Sequence, residues 1–189
     1  MSYEETLFEA EKLKEKGHHS EAISLCEEVL FEDPQNVIAL EEVGDNYLSL
    51  GQIKKAKRAL IAAAKLEPES VNANYLLGFI FSLEQKWSLS VRCLERAEKN
   101  AKNNPEILRS LGWSLFNLGQ QKEGIILLER VKNMTPNDSF LLCDLGVCYM
   151  LREKYAKALN LFLVAKKFDP DNQKVQDCIR IAQIFKNKV

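Results

Sequence analysis

The chain has 189 residues, of which 46% are hydrophobic and 28% are charged, as is usual for soluble folded proteins. It has no run of about 18 apolar residues and begins with acidic residues, so neither a transmembrane helix nor a secretory signal is predicted, and we expect a cytoplasmic protein. Glycine and proline are scarce, at 8 and 5 residues, which argues against an all-β fold.

The formal net charge of −1 conceals an uneven distribution along the chain. Residues 1–50 contain 13 acidic and 3 basic side chains, whereas residues 51–189 contain 14 acidic and 23 basic ones. Such polarity suggests a partner contacted end by end, or self-association of the chain head to tail. The alternative is a solvated surface that is uneven without serving a function.

Five consecutive segments of 34 residues are each predicted to form a pair of helices. In chain order they cover approximately residues 3–36, 37–70, 71–104, 105–138 and 139–171. Ser2 and Glu5 predict a capping box at the start of the first helix. Residues 37–50 and 71–84 carry apolar side chains at i, i+3, i+4 and i+7, the pattern of an amphipathic helix. A final helix is predicted over residues 172–187.

Glycine and proline mark the turns and ends of these helices. Gly51 and Gly119 fall at the turn between paired helices, where a positive φ is often needed. The prolines that end the second helix of a segment share one position in the period: Pro34, Pro68, Pro136 and Pro170. One segment departs from this pattern, because Lys102 stands at the proline position and Pro105 follows three residues later.

Residues of one size recur every 34 positions inside the predicted helices. The recurring glycines are Gly44, Gly78, Gly112 and Gly146. Twelve positions after each of them stands a small residue, namely Ala56, Ser90, Gly124 and Ala158. Four positions further on stands a bulky one, namely Leu60, Leu94, Leu128 and Phe162. Small residues let two helices approach closely, so this pattern predicts tight pairing of the two helices within a segment.

The pattern Leu40-x-x-Val43-Gly44-x-x-Tyr47, followed by Ala56, Leu60 and Pro68, resembles the tetratricopeptide repeat. Leu142-x-x-Leu145-Gly146-x-x-Tyr149, followed by Ala158, Phe162 and Pro170, resembles it too. The resemblance covers residues 3–170 and implies an all-α, right-handed superhelical solenoid of antiparallel helix pairs. It further implies about eleven helices, a single array over residues 1–189, and a capping helix over 172–187. The first helix of each pair would line a concave groove.

The first-helix positions that do not serve the core are the candidate partner-binding residues. We predict that they are Glu41, Asp45, Tyr75, Phe79, Arg109, Trp113, Phe116 and Met150. The groove would be acidic at its entrance and aromatic in its middle, which suits a peptide or helical segment of another protein. The alternative is that wide side chains such as Phe79 and Trp113 pack between neighbouring first helices.

Several other kinds of site are not indicated. Leu7, Glu11, Glu41 and Asp45 occupy the positions at which related repeats grip a carboxylate, and acidic side chains would repel one. His18 and His19 are the only histidines, so we expect no catalytic triad, and His19 is expected to pack at the start of a second helix. The five cysteines show no metal-ligand spacing, and a sequence pI of about 6.2 argues against nucleic acid.

These patterns predict a protein that binds other proteins and catalyses no reaction, without a cofactor or a metal ion. The leading hypothesis is a scaffold or adaptor that holds a partner segment in the groove. One alternative is a structural protein that assembles through its acidic N-terminal and basic C-terminal ends. Another is a chaperone for secreted or assembly subunits. Neither nucleic-acid binding nor membrane insertion is predicted.

Overall fold

The computed structural model describes residues 2–186, which form eleven α-helices in two compact units. Unit 1 extends to Lys102, the position where the recurring proline is missing, and unit 2 begins at Asn103. Unit 1 contains α1 Tyr3–Glu15, α2 His19–Glu32, α3 Val37–Ser49, α4 Ile53–Leu66, α5 Val71–Leu83 and α6 Trp87–Asn100. Unit 2 contains α7 Pro105–Asn117, α8 Gln121–Met134, α9 Ser139–Leu151, α10 Tyr155–Phe168 and α11 Gln173–Lys186.

The described helices follow the predicted pairs, and α11 takes the place of the predicted final helix. Residue 187, the last of that prediction, lies outside the described residues. The repeat boundaries and the single array over residues 1–189 stay predictions. Within residues 2–186, no helix has the length and apolar character that crossing a membrane requires.

The first helix of each pair begins at a polar side chain that caps it. The Ser2 hydroxyl accepts a hydrogen bond from the Glu5 amide at 3.2 Å, and the Glu5 carboxylate accepts one from the Ser2 amide at 2.8 Å. The predicted capping box is therefore confirmed. The later first helices are capped by Asn36, Ser70, Asn104 and Asp138. Pro105 is the first residue of α7, where its fixed φ suits a helix start.

A left-handed residue stands in each turn between paired helices. Gly51 has a φ of 70° and Gly119 a φ of 101°, which confirms the prediction made for these two turns. The equivalent residues of the other turns are Gly17, Gln85 and Glu153, with φ values of 79°, 56° and 59°. Each turn therefore reverses the chain at one left-handed residue, although two of the five are not glycine.

The recurring glycines lie where the paired helices touch. A Cβ on Gly44 would lie 2.6 Å from Cγ of Leu60, and one on Gly78 would lie 2.6 Å from Cγ of Leu94. In unit 2, a Cβ on Gly146 would lie 2.8 Å from Cδ1 of Phe162, which is fully buried. Side chains do not approach a Cβ this closely, so the tight pairing of the two helices that was predicted from the small residues is confirmed at these glycines.

Candidate functional site

In unit 2, side chains of α7 and α9 and the Asp138 cap of α9 form a cluster at the helix surface. It is here called the Arg109 cluster and consists of Arg109, Asp138, Phe140 and Asp144. Arg109 Nη1 lies 3.8 Å from Asp138 Oδ2, and its Nε lies 3.8 Å from Asp144 Oδ2. The guanidinium also lies over the Phe140 ring, 5.9 Å from its centroid. Both ion pairs are longer than hydrogen bonds, so the guanidinium is held loosely between two carboxylates.

Phe140 is the apolar member of this cluster, and most of its side chain is exposed to solvent. It is 63% exposed although it belongs to the first helix of its pair, next to the Asp138 cap of α9. An aromatic ring that leaves most of its surface in water, beside a partly covered guanidinium, is a feature common in protein-binding surfaces. The Arg109 cluster can therefore offer an apolar ring and charged groups to a partner at the same time.

The Asp144 carboxyl is perturbed by its surroundings. Burial raises its pKa from 3.8 to about 6; the Arg109 guanidinium opposes this shift, and the Asp138 carboxylate adds to it. The ionised form is thus poorly compensated, even with Arg109 beside it. The Arg109 guanidinium therefore does not fully offset the burial of the Asp144 carboxylate within the cluster.

Replacing Asp144 with asparagine should change how stability depends on pH. A carboxyl with a raised pKa in the folded state binds its proton more tightly when folded, so its contribution to the unfolding free energy is greatest below 3.8 and is lost as pH rises through about 6. Asparagine does not titrate. Because the Asp144 side chain is 34% exposed, solvent screening limits the effect to about 1 kcal/mol.

Urea unfolding of wild type and Asp144→Asn over this pH range measures that difference. The variant should gain stability relative to wild type as pH rises, since the other titrating groups are shared. Parallel pH curves for the two proteins would show that the Asp144 pKa is not raised in the folded state.

Three further predicted site residues lie in unit 2. Trp113, one turn after Arg109 on α7, is half-buried, and so is Met150 on α9; both pack against the unit 2 core. Phe116 was predicted to face the groove, and this is wrong, because only 4% of it is exposed. It lies four residues after Gly112, on the helix face that contacts α8, and a Cβ on Gly124 would lie 2.9 Å from Phe116 Cβ.

The predicted residues of unit 1 occupy α3 and α5. Asp45 pairs with Lys14 at 3.3 Å, and Lys14 also binds Glu42 at 2.8 Å. Glu41 accepts a hydrogen bond from the Ser70 hydroxyl, and burial raises its pKa. The predicted acidic entrance is therefore partly neutralised within the unit.

Aromatic side chains of α5 complete the predicted surface of unit 1. Phe79 is 36% exposed, and Tyr75, one turn earlier on the same helix, is half-buried. Because they are four residues apart, they share one face of α5. Each ring is therefore partly covered, and for Phe79 the two interpretations made from sequence, binding of a partner and packing between first helices, both stay open.

The histidines have local contacts. His19 Nδ1 lies 2.9 Å from Oδ1 of the fully buried Asn46, and His18 Nδ1 lies 2.8 Å from the Glu21 carboxylate on the exposed surface. The Asn46 amide in turn donates to the Glu42 carbonyl at 2.8 Å. His19 thus takes part in fixing α2 against α3.

Sequence reasoning missed Asp138 and Asp144 as members of the cluster. Asp138 could be recognised only as a helix cap, and Asp144 as one of many polar residues on a first helix. The available signal was an opposite charge on the next first helix, 35 residues after Arg109. That spacing brings the two charges together only when α7 and α9 are in contact, as they are here.

Comparison with known proteins finds a repeat family that matches part of the chain. Residues 13–80 match the family model described as tetratricopeptide repeat. The chain is 24% identical over 185 residues to the DnaJ homolog subfamily C member 3 homolog of Dictyostelium discoideum, which covers 89% of this chain and 37% of the relative. It is 23% identical over 155 residues to BBSome complex member BBS4 of Bos taurus, covering 82% and 30%. The chain thus spans about a third of the length of these curated relatives.

Solved structures share the fold of the chain. YrrB, described as a TPR protein with an unusual peptide-binding site, has a TM-score of 0.73 and 22% identity over 93% of this chain and 90% of its own. TTC0263, a thermophilic TPR protein of Thermus thermophilus, has a TM-score of 0.75 and 16% identity over 97% and 100%. The predicted fold class, an all-α helical solenoid, is confirmed. Residues 13–80 thus match the tetratricopeptide repeat, and the chain is similar in fold to solved TPR proteins.

Proposed function

We propose that this chain is a non-catalytic scaffold that binds a peptide or helical segment of a partner protein on its first helices. The observation that carries the proposal is Phe140, which is 63% exposed and lies against Arg109 in a cluster built by α7 and α9. The Arg109 cluster combines an aromatic surface with charges that are incompletely paired, as binding surfaces commonly do. The peptide-binding site named for YrrB supports the same class of ligand.

The charges of the cluster indicate the chemistry of the segment that it binds. Arg109 supplies one positive charge, and Asp138 and Asp144 supply two carboxyl groups. A segment with an apolar side chain for the Phe140 ring and a basic side chain for the carboxylates would therefore be favoured. In unit 1, the half-buried Tyr75 and the exposed Phe79 supply aromatic groups, whereas Asp45 is paired with Lys14 and Glu41 accepts a hydrogen bond from Ser70.

A double substitution tests the site directly. We expect Phe140→Ser/Asp144→Asn to weaken the binding of partner segments at least about tenfold, since it removes the ring and one of the two carboxyl groups that a basic side chain would face. Peptides are selected on the full-length wild-type chain from a displayed library, and their affinities for wild type and variant are then compared by titration. Circular dichroism verifies that the variant keeps its helices.

The matched control is Ile126→Ser, which removes a side chain that is 69% exposed on the second helix α8 of the same unit. It should leave the affinities unchanged. The proposal is wrong if every selected peptide binds the double variant as tightly as wild type. Binding that Ile126→Ser weakens instead would place the site on the second helices.

A further inference from the structure

Unit 2 contains a pocket of about 340 Å³ at the turn between α9 and α10, beside the end of α11. Its lining residues are Glu153, Lys154, Tyr155, Ala156, Lys157 and Lys186. The Tyr155 ring stacks on the Phe185 ring, with centroids 5.4 Å apart and an angle of 16° between the planes. The pocket therefore has an aromatic wall, and three lysines and one glutamate contribute to its lining. The Lys157 ammonium lies over the Tyr149 ring, 5.2 Å from its centroid. The pocket is distinct from the Arg109 cluster.

The start of α10 adds to the positive character of this pocket. Lys154 is the N-terminal cap residue, and its side chain makes no capping hydrogen bond. The amide groups of a first helical turn need acceptors from outside the helix, and they attract negative charge. Together with the lysines, they suit a carboxylate that arrives next to an apolar side chain.

A surface of matching chemistry lies on α2 in unit 1, around Phe31. The Phe31 ring is 89% exposed, and the residues surrounding it are Ser24, Glu27, Glu28 and Glu32. Glu27 and Glu28 lie one turn before Phe31, so their carboxylates share its face of the helix. A large apolar ring almost fully in water, among carboxylates, points to a contact with a basic apolar surface.

We propose that Phe31 of one molecule docks in the Lys154–Lys157 pocket of a second copy of this chain. The phenyl ring would lie against the stacked Tyr155, and the Glu28 carboxylate would face the lysines and the start of α10. Charge complementarity selects this occupant, because residues 1–50 carry 13 acidic side chains against 3 basic ones. The contact joins different surfaces of two copies, so it leads to head-to-tail assembly, as a closed ring or an open chain.

The mass of the full-length chain in solution tests this contact. We expect the mass of wild type to rise from micromolar to near-millimolar concentration and to fall with added salt, which screens the lysine–glutamate attraction. Sedimentation or light scattering measures both. Phe31→Glu and Lys154→Glu/Lys157→Glu should each lower the association constant at least about tenfold.

A mixture of the two variants gives the sharpest result. Phe31→Glu keeps an intact pocket, and Lys154→Glu/Lys157→Glu keeps an intact Phe31. Each variant alone should stay monomeric, whereas the mixture should form a complex of one molecule of each and grow no further. No general loss of solubility or fold would produce this pattern.

Controls alter equally exposed residues elsewhere. Leu83→Glu replaces a side chain that is 55% exposed in unit 1, and Lys166→Glu/Lys167→Glu reverses two exposed charges in the last turn of α10. Both should assemble like wild type. A monomeric wild type at all concentrations and salt levels, or a mixture that forms no complex, would overturn the proposal, as would equal loss in the controls. None of these outcomes bears on the Arg109 cluster, so the two proposals fail independently.

Discussion

Replacing Phe162 with alanine should lower the free energy of unfolding of unit 2 by about 3–5 kcal/mol. Phe162 is the largest fully buried side chain of the described residues, and it lies against Gly146 of the paired helix. Truncation removes the whole buried ring and leaves a cavity, which the helix pair α9–α10 can close only in part. Since small domains are stable by only about 5–15 kcal/mol, this is a large share of the total.

Urea unfolding followed by tryptophan fluorescence measures the loss. The chain has two tryptophans, and Trp113 packs against the unit 2 core, so a Trp87→Phe background reports on that unit. The matched control is Leu163→Ala, which truncates the neighbouring side chain on α10, 44% exposed. Leu163→Ala should lower the free energy of unfolding much less than Phe162→Ala does. Equal losses in the two variants would contradict the packing described for Phe162 and Gly146.

The positions of the helices could be predicted from the sequence because their causes are local or periodic. Capping by Ser2 and Glu5 depends on residues three apart, and the left-handed turn at Gly51 depends on one residue. The contact of Gly146 with Phe162 recurs as Gly44 with Leu60, so the repeat itself shows which residues meet. The left-handed conformation at Gln85 and Glu153 could not be predicted in this way, since neither residue is one that favours a positive φ.

The candidate site could be predicted only in part, because its members depend on which side chains of different helices come into contact. Arg109 was predicted to lie on the first-helix surface, but its carboxylate partners follow from the contact of α7 with α9. Phe116 shows the opposite error: the helical period places it on the face of Gly112, which is the core face. Asp45 was predicted to bind a partner. Its ion pair with Lys14, 31 residues away, could not be predicted because this spacing differs from the 34-residue period.

Replacing Gly124 with valine should lower the free energy of unfolding of unit 2 by about 3 kcal/mol, at the upper end of what overpacking usually costs. Helix propensity alone predicts the opposite sign, because glycine inside a helix is less favourable than almost every other residue. The close packing of α8 on α7 makes the overpacking effect larger than the helix-propensity effect. A Cβ at this position would lie 2.5 Å from the Gly112 carbonyl oxygen and 2.7 Å from the Phe116 nitrogen.

Backbone atoms cannot turn away as a flexible side chain does, so any Cβ on Gly124 must push α8 from α7. The equivalent positions in the other pairs hold Ala22, Ala56, Ser90 and Ala158, so α7 and α8 pack around a glycine where the other pairs accept a Cβ. Lys122→Val, at an exposed position of α8, places the same β-branched residue on this helix without a backbone contact. Its helix-propensity effect is a small loss, whereas that of Gly124→Val is a small gain, so a larger loss in Gly124→Val under urea reports the packing cost. If Gly124→Val were as stable as Lys122→Val, the backbones of α7 and α8 would have to lie further apart than described. A large loss confined to Gly124→Val would show that the backbones of α7 and α8 approach closely at this glycine. Since α7 carries Arg109, this approach also helps to fix the position of the Arg109 cluster.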